Sequence, residues 1–295
     1  MTSRRTSAKR RRILWRIARI PLLATIFFLG LFMLFEDSFI YFPSKYPDGN
    51  WQPPVGAAFP RVEDCTFIAS DGVKLHGWHC TPPGRLEATA EGRPVLLWFH
   101  GNAGNLTHRY DTIVNLVRLP ADVFILDYRG YGRSDAEPSE KGLYLDGRAA
   151  WDFLTDQRGV DPNRIVLFGR SLGGAVAIEL ATRQDVTPAG VIIESAFTSV
   201  PDMAAQIMPL IPRVLIRTQM RSIERIASIQ VPKLFVHSVD DEIIPFDHGR
   251  RLFEAAAEPK QFYRLEGAGH NETDLVGGQA YLDALAQFIV SLVGS

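Results

Sequence analysis

The chain has 295 residues, 46% of them hydrophobic and 22% charged, with 24 Gly, 19 Pro and 2 Cys. That apolar share excludes a disordered chain, and two cysteines exclude a disulfide scaffold or a cysteine-rich zinc module. The net charge of −1 is unevenly spread: residues 1–19 carry eight basic residues and no acid, leaving 24 basic against 33 acidic residues beyond them, which argues against a nucleic-acid-binding body.

The basic stretch runs into Ile20–Phe35, sixteen uncharged residues closed by Glu36 and Asp37. At 1.5 Å per residue the run is about 24 Å long, short of the ~30 Å hydrocarbon core. Trp15, Ile17 and Ala18 extend it, with Arg16 and Arg19 reaching toward headgroups. This layout predicts a basic cytoplasmic segment over 1–19 and an uncleaved transmembrane signal anchor over 20–37, with Trp15 and Tyr41 at the two interfaces. The charge asymmetry then puts the remaining chain on the non-cytoplasmic side, periplasmic or extracellular. A cleaved signal peptide shares the layout, but Phe35-Glu36-Asp37-Ser38-Phe39 offers no small-x-small site. A buried core helix and a twin-arginine export signal at Arg10-Arg11-Arg12 are the other readings.

Residues 38–61 read as a Pro-rich connector (Pro43, Pro47, Pro53, Pro54, Pro60) on an extended, helix-poor path. From residue 62 to 295 the pattern is that of one domain. Cys65–Ala69 and Val73–Trp78 flank Ser70-Asp71-Gly72, a hairpin signal. A turn at Asp71-Gly72 sets Ser70 opposite Val73 and Cys65 opposite Trp78, with Cys80 diagonal to Cys65. That separation of ~7–8 Å is marginal for a disulfide, and two buried thiols are expected. Short apolar runs follow at Val95–Phe99, Val123–Leu126, Ile165–Phe168, Gly190–Ile193, Lys233–Val236 and Gln261–Leu265. Helical periods lie between or after them near 106–118, 140–157, 172–183, 247–257 and 279–292. Such alternation predicts an α/β fold with a mostly parallel, doubly wound sheet, whose reactive residues follow the carboxyl ends of the strands.

Four strand ends carry chemistry. Gly169-Arg170-Ser171-Leu172-Gly173 is a G-x-S-x-G turn between a strand and an alanine-rich helix, so Ser171 is the candidate nucleophile. Serine needs a base. Of seven histidines, His270 sits in the flexible loop Gly267-Ala-Gly269-His270-Asn271 after the last strand. An acid must orient that imidazole, and Asp241 is preferred over Asp240, one of the two serving as a turn cap. The order Ser171, Asp241, His270 is that of an α/β-hydrolase triad. After Val95–Phe99 comes His100-Gly-Asn-Ala-Gly-Asn105, whose Asn102 N–H, with that of Leu172, is the candidate oxyanion hole; Ala103 is the reserve. His237 reads as a structural histidine. No Walker loop, dinucleotide fingerprint, H-E-x-x-H or C-x-x-C occurs, so neither cofactor nor catalytic metal is implied.

The stretches Asp71–Trp78, His100–Asn105, Asp127-Tyr-Arg-Gly-Tyr-Gly-Arg-Ser134, Gly169–Gly174, Glu194–Ser199, Asp241–Pro245 and Gly269–Asn271 together resemble the membrane-anchored α/β-hydrolase-domain proteins, which include depalmitoylases and monoacylglycerol or lysophospholipid lipases. The resemblance spans 62–295 and implies the α/β-hydrolase fold and its triad. It implies that Asp127-Tyr128-Arg129 shapes a loop rather than reacting, and that a short lid lies at about 196–230. One departure is Ser238, where the family commonly has Gly; serine is tolerated unless the backbone needs positive φ. Ile207–Ile216 in the lid either lines an acyl groove or packs on the sheet. The expected activity is hydrolysis of carboxylic esters or thioesters through an acyl-enzyme. The substrate would be a small molecule or a lipid acyl compound, with the membrane bound through the N-terminal helix and no obligate protein partner. The alternatives are a serine aminopeptidase, with Glu194 as amine anchor, and a non-enzymatic scaffold on a hydrolase fold. Because the triad and core lie beyond residue 62, removing residues 1–37 is expected to leave turnover of a soluble ester nearly unchanged.

Overall fold

The computed structural model describes residues 15, 19–21, 23–24, 27–28, 30–31, 33–56, 58–83, 93–209 and 211–293. Most of the predicted basic segment 1–19 lies outside the described residues, Arg16, Ile17 and Ala18 included, and the predicted span 20–37 is described only in part.

Eight strands form one sheet in the order β1-β2-β4-β3-β5-β6-β7-β8. β1 (Arg61–Ile68) and β2 (Lys74–Thr81) are antiparallel, and β2 is antiparallel to β4 (Asp122–Asp127). β3 (Val95–Phe99), β4, β5 (Ile165–Arg170), β6 (Gly190–Glu194), β7 (Lys233–Ser238) and β8 (Lys260–Leu265) are parallel. β3 to β7 are buried along their whole length. That explains why they read as continuous apolar runs rather than alternating ones. Two apolar layers cover the sheet. Phe99, Leu167 and Ile193 belong to one, Leu96, Val166 and Ile192 to the other.

The hairpin corrects the predicted register by one residue. Ala69 N–H donates to Val73 O and Gly72 N–H to Ala69 O, giving a three-residue loop with Gly72 at φ +85°. A three-residue loop with glycine in the left-handed position is a standard hairpin closure. Cys65 therefore faces Gly77 rather than Trp78, and Cys80 faces Val62. Because facing alternates, the slip puts the two cysteines in opposite apolar layers, and both thiols are free and buried.

The connector is also more than a tether. Ser44 N–H donates to Gly104 O (2.9 Å), Gly132 N–H to Ser44 O (2.9 Å) and Tyr46 N–H to Gly132 O (2.8 Å). Tyr41, expected at a membrane interface, is 3% exposed and sits in the core. Glu36, expected as the charge that closes a span, is fully buried; its carboxylate accepts from Arg217 N–H (3.0 Å) and Thr218 N–H (2.7 Å). Residues 36–46 thus strap across the domain.

Upstream, the described residues between 15 and 35 are helical, and Ile20, Leu23, Phe27 and Leu34 are exposed. Among the described residues, the helix that is long and apolar enough to cross a membrane is Thr273–Leu292. It packs one face, with Tyr281, Leu285, Phe288 and Ile289, into the core and is kinked at Gly278 (φ 52°, ψ −136°).

Candidate active site

The site is built at the carboxyl ends of β3, β5, β7 and β8. β5 ends in a turn so sharp that only glycine fits around it. A Cβ on Gly169 would lie 2.4 Å from Gly173 O, and one on Gly173 would lie 1.9 Å from Phe99 O. Ser171 itself takes φ 55°, ψ −118°, a strained conformation costing about 1–3 kcal/mol. The strain is held by Ser171 N–H donating to Glu194 O (2.9 Å) and by the helix Leu172–Ala181 that starts at the next residue. The result lifts the hydroxyl off the sheet and aims the helix N-terminus at it.

Ser171 Oγ lies 3.0 Å from His270 Nε2, and His270 Nδ1 lies 2.8 Å from Asp241 Oδ2. An ionised carboxylate only accepts, so Nδ1 carries the proton and the Nε2 lone pair faces the serine. Asp241 Oδ1 accepts from Ile243 N–H (3.0 Å) and Ile244 N–H (2.7 Å). Burial alone would raise its carboxyl; hydrogen bonds from His237 and His270 outweigh that and hold it well below the usual carboxylate range. His237 Nε2–H donates to Ile244 O (2.8 Å) and lies 3.5 Å from Asp241 Oδ2, so this histidine braces the acid as well as filling space. Asp240 accepts from Gly267 N–H (2.7 Å) and ties down the loop that carries His270. The neighbouring aspartates thus differ in geometry: Asp241 meets the imidazole, and Asp240 fixes its loop. Ser238 has no positive φ, and its Oγ accepts from Asp240 N–H (3.2 Å), so serine fits.

The loop after β3 closes on Ser171. A Cβ on Gly101 would lie 3.3 Å from Ser171 Cβ. Asn102 is held by its side chain: Oδ1 accepts from Tyr131 Oη–H (2.8 Å) and Phe42 N–H (3.1 Å), and Nδ2 donates to Ile40 O. Asn102, Ala103 and Ser171 share one cleft; Asn102, Leu172 and Ser171 share a second. Burial pulls His100 down to about 4, so it is neutral, donating from Nδ1 to Gly101 O (2.7 Å). Asp127 accepts from Leu106 N–H (2.8 Å), and Arg129 pairs with Asp71 and Asp146 (both 2.8 Å); both residues shape loops.

Glu194, the candidate amine anchor, is buried and hydrogen-bonded within the fold. It is 1% exposed, and its oxygens accept from Thr273 Oγ1–H (2.6 Å) and Tyr281 Oη–H (2.6 Å). Arg170 Nε lies 3.2 Å from the same carboxylate, and Arg170 Nη2 donates to His270 O (2.9 Å). Glu194 therefore ends a strut that runs through Arg170 to the backbone of His270. Sequence reasoning missed the wall of the site as well. Phe39, Ile40 and Phe42 from the strap face Met203, Ile207 and Met208 from the lid across a groove of about 270 Å³ that reaches Ser171. The run Phe39-Ile-Tyr-Phe42 is too apolar for a solvated linker, and that was the available signal. Of the lid stretch Ile207–Ile216, Ile207 and Met208 line the groove, Ile216 is buried and Val214 is exposed.

Residues 90–217 match the family model described as serine aminopeptidase, S33. The chain is 38% identical to an uncharacterized protein of Mycobacterium tuberculosis over 287 residues, 96% of this chain and 97% of that one. It is 33% identical to the α/β-hydrolase domain-containing protein WAV2 of Arabidopsis thaliana over 280 residues, 88% and 89% of the two chains. An esterase of Pyrococcus furiosus superposes with a TM-score of 0.67 at 20% identity, covering 84% of this chain and 95% of that one. The chain belongs to the α/β-hydrolase domain-containing family, and its fold is the α/β-hydrolase fold.

Proposed function

We propose that this member of the α/β-hydrolase family is a serine hydrolase that cleaves carboxylic esters or thioesters of lipid or acylated substrates. The observation that carries the reading is the hydrogen-bonded series Asp241–His270–Ser171 opening onto an apolar groove. Ser171 Oγ attacks the acyl carbonyl carbon as His270 Nε2 takes its proton. The negative charge on the carbonyl oxygen is held by backbone N–H groups, those of Asn102 and Leu172. The intermediate collapses, the bond to the leaving group breaks, and His270 returns the proton to the leaving oxygen or sulfur. Water then repeats the cycle on the acyl-enzyme. The groove between strap and lid takes the acyl chain. An aminopeptidase is the weaker reading, because the carboxylate that would hold a substrate amine is consumed by Thr273, Tyr281 and Arg170.

The N-terminal helix anchors this activity to a membrane, with the domain on the non-cytoplasmic side. The basic flank sets that orientation, and the exposed apolar face of the helix fits a bilayer. The strap leads from that helix into the groove wall, so an acyl chain leaving the bilayer meets the groove directly.

The experiment is a fluorophosphonate probe followed by a panel of acyl esters, acyl thioesters and aminoacyl amides on the full chain. Labelling of Ser171 with turnover of long-chain esters or thioesters is expected; turnover of amides alone would reverse the reading. The acid is tested separately. Asp241→Asn leaves an amide where the imidazole needs an anion and should lower kcat about 10⁴-fold. Asp240→Asn keeps an oxygen for Gly267 N–H and should cost less than about tenfold. The opposite order would move the acid by one position.

A further inference from the structure

His270 sits on a loop rather than on a strand or helix. β8 ends at Leu265, and the chain passes through Gly267 (φ +77°) and Gly269 before it reaches the histidine. Two glycines so close together leave a loop many backbone conformations. The imidazole nonetheless meets Ser171 Oγ at 3.0 Å and Asp241 Oδ2 at 2.8 Å. A ring reached through two rotatable bonds does not fix its own backbone, and proton transfer is sensitive to small misplacements.

That backbone is held at both of its polar atoms. His270 N–H donates to Glu242 Oε2 (2.9 Å), and His270 O accepts from Arg170 Nη2 (2.9 Å). An anion meets the donor and a cation meets the acceptor, so both bonds are charge-assisted. Glu242 belongs to the run Asp240-Asp241-Glu242 after β7. Each of these carboxylates touches the His270 loop at a different point: Asp240 at Gly267 N–H, Asp241 at the imidazole, Glu242 at His270 N–H. Gly269 is shaped around the third contact. A Cβ there would lie 2.9 Å from Glu242 Oε2, so the carboxylate fills the space of a side chain. Gly269 has no positive φ, so this close approach, not backbone conformation, calls for glycine.

We propose that Glu242 is a positioning residue for the hydrolysis: it acts through His270, by fixing the N–H end of that residue while Arg170 fixes the carbonyl end. This rests on the reading of Ser171 and His270 as nucleophile and base. Glu242 lines neither cleft at Ser171, so its effect falls on kcat rather than on substrate binding. Its side chain is exposed, and solvent screening keeps the effect well below that of losing a triad member.

The test uses the full-length protein in neutral detergent, with a chromogenic short-chain ester and with amide exchange of the segment 267–272 read by mass spectrometry. Glu242→Ala is expected to lower kcat about tenfold with KM within about twofold, and to speed exchange of the segment at least about fivefold. The melt should stay within about 4 °C of wild type. Glu242→Gln keeps an oxygen for His270 N–H and should hold kcat within about threefold of wild type. Gly269→Ala reaches the same loss by another route, because its methyl displaces the flexible Glu242 side chain. Alone it should lower kcat about as far as Glu242→Ala does; added to Glu242→Ala it should cost less than about twofold, since nothing remains to displace. A Glu242→Ala protein within about twofold of wild-type kcat, a Gln variant no better than the Ala variant, or additive losses from the two substitutions would overturn the role. The exchange arm needs no turnover. A wild type that hydrolyses no ester would sink the hydrolase reading, and Glu242 would still be judged: faster exchange in Glu242→Ala keeps its hold on His270 N–H, and unchanged exchange removes it.

Discussion

Ser171→Ala is expected to lower kcat by at least about 10³-fold while the protein melts as a folded domain, and His270→Ala is expected to do the same. The size follows from the geometry. Ser171 Oγ and His270 Nε2 meet at 3.0 Å, and among the described residues no other side chain bonds either atom, so none there stands in as donor or base. The double variant should lose little beyond either single one, because two groups that act as a unit fail together. Single-turnover kinetics on a chromogenic ester, with thermal melts alongside, reads both effects. Near-normal turnover by Ser171→Ala would end the proposed mechanism. Ser171→Ala should also melt no lower than wild type, since removing the hydroxyl leaves the strained backbone and its bond to Glu194 O untouched.

A chain beginning at Met33 is expected to hydrolyse a short soluble ester within about threefold of the full chain, whereas one beginning at Pro43 should lose at least about tenfold and melt about 10 °C lower. The boundary falls between Met33 and Pro43 because the strap starts there. Beginning at Pro43 removes Tyr41 from the core, about 1.5–3 kcal/mol of burial. It also leaves the buried Thr218 N–H without its acceptor, about 1–3 kcal/mol more. Together these are a large part of a typical ~5–15 kcal/mol stability. The groove loses one wall at the same time, and Asn102 loses its bonds to Ile40 and Phe42. Equal melting of the two truncated chains would show that the strap adds nothing to the domain.

That expectation reverses the one drawn from the sequence, which placed the start of the functional domain at residue 62. The parallel strands β3 to β7 were legible because each is buried along its whole length and so writes itself as a short apolar run. β3 runs Val95–Phe99, as expected, and β5 to β8 differ only at their ends. Ser171, Asp241 and His270 were legible because strand-end chemistry in this fold follows chain order. The helix Val200–Ile207 was not, although Ser199 caps it and Pro201 stands in its first turn, because eight residues give too short a period to read. The strap was illegible for a related reason. Prolines correctly signalled an extended path, but an extended path can dock on a surface as well as cross solvent, and local composition does not distinguish the two. The hairpin slip was a matter of one loop residue, and loop length is the least constrained quantity in such a turn. The burial of Glu194 was not legible, because a carboxylate after a strand looks the same in sequence whether it faces a substrate or a tyrosine.

The Glu36 contact also constrains the timing of assembly. Its carboxylate meets amides 181 and 182 residues further along the chain. At about 5–20 residues per second, a ribosome makes those amides roughly 10–40 s after it has made the acid. During that interval Phe39, Ile40 and Phe42 have no lid to face. The wall of the groove is among the longest-range contacts in the molecule, and such contacts form late because loop closure must precede them. The groove beside Ser171 is therefore completed only once most of the chain has left the ribosome.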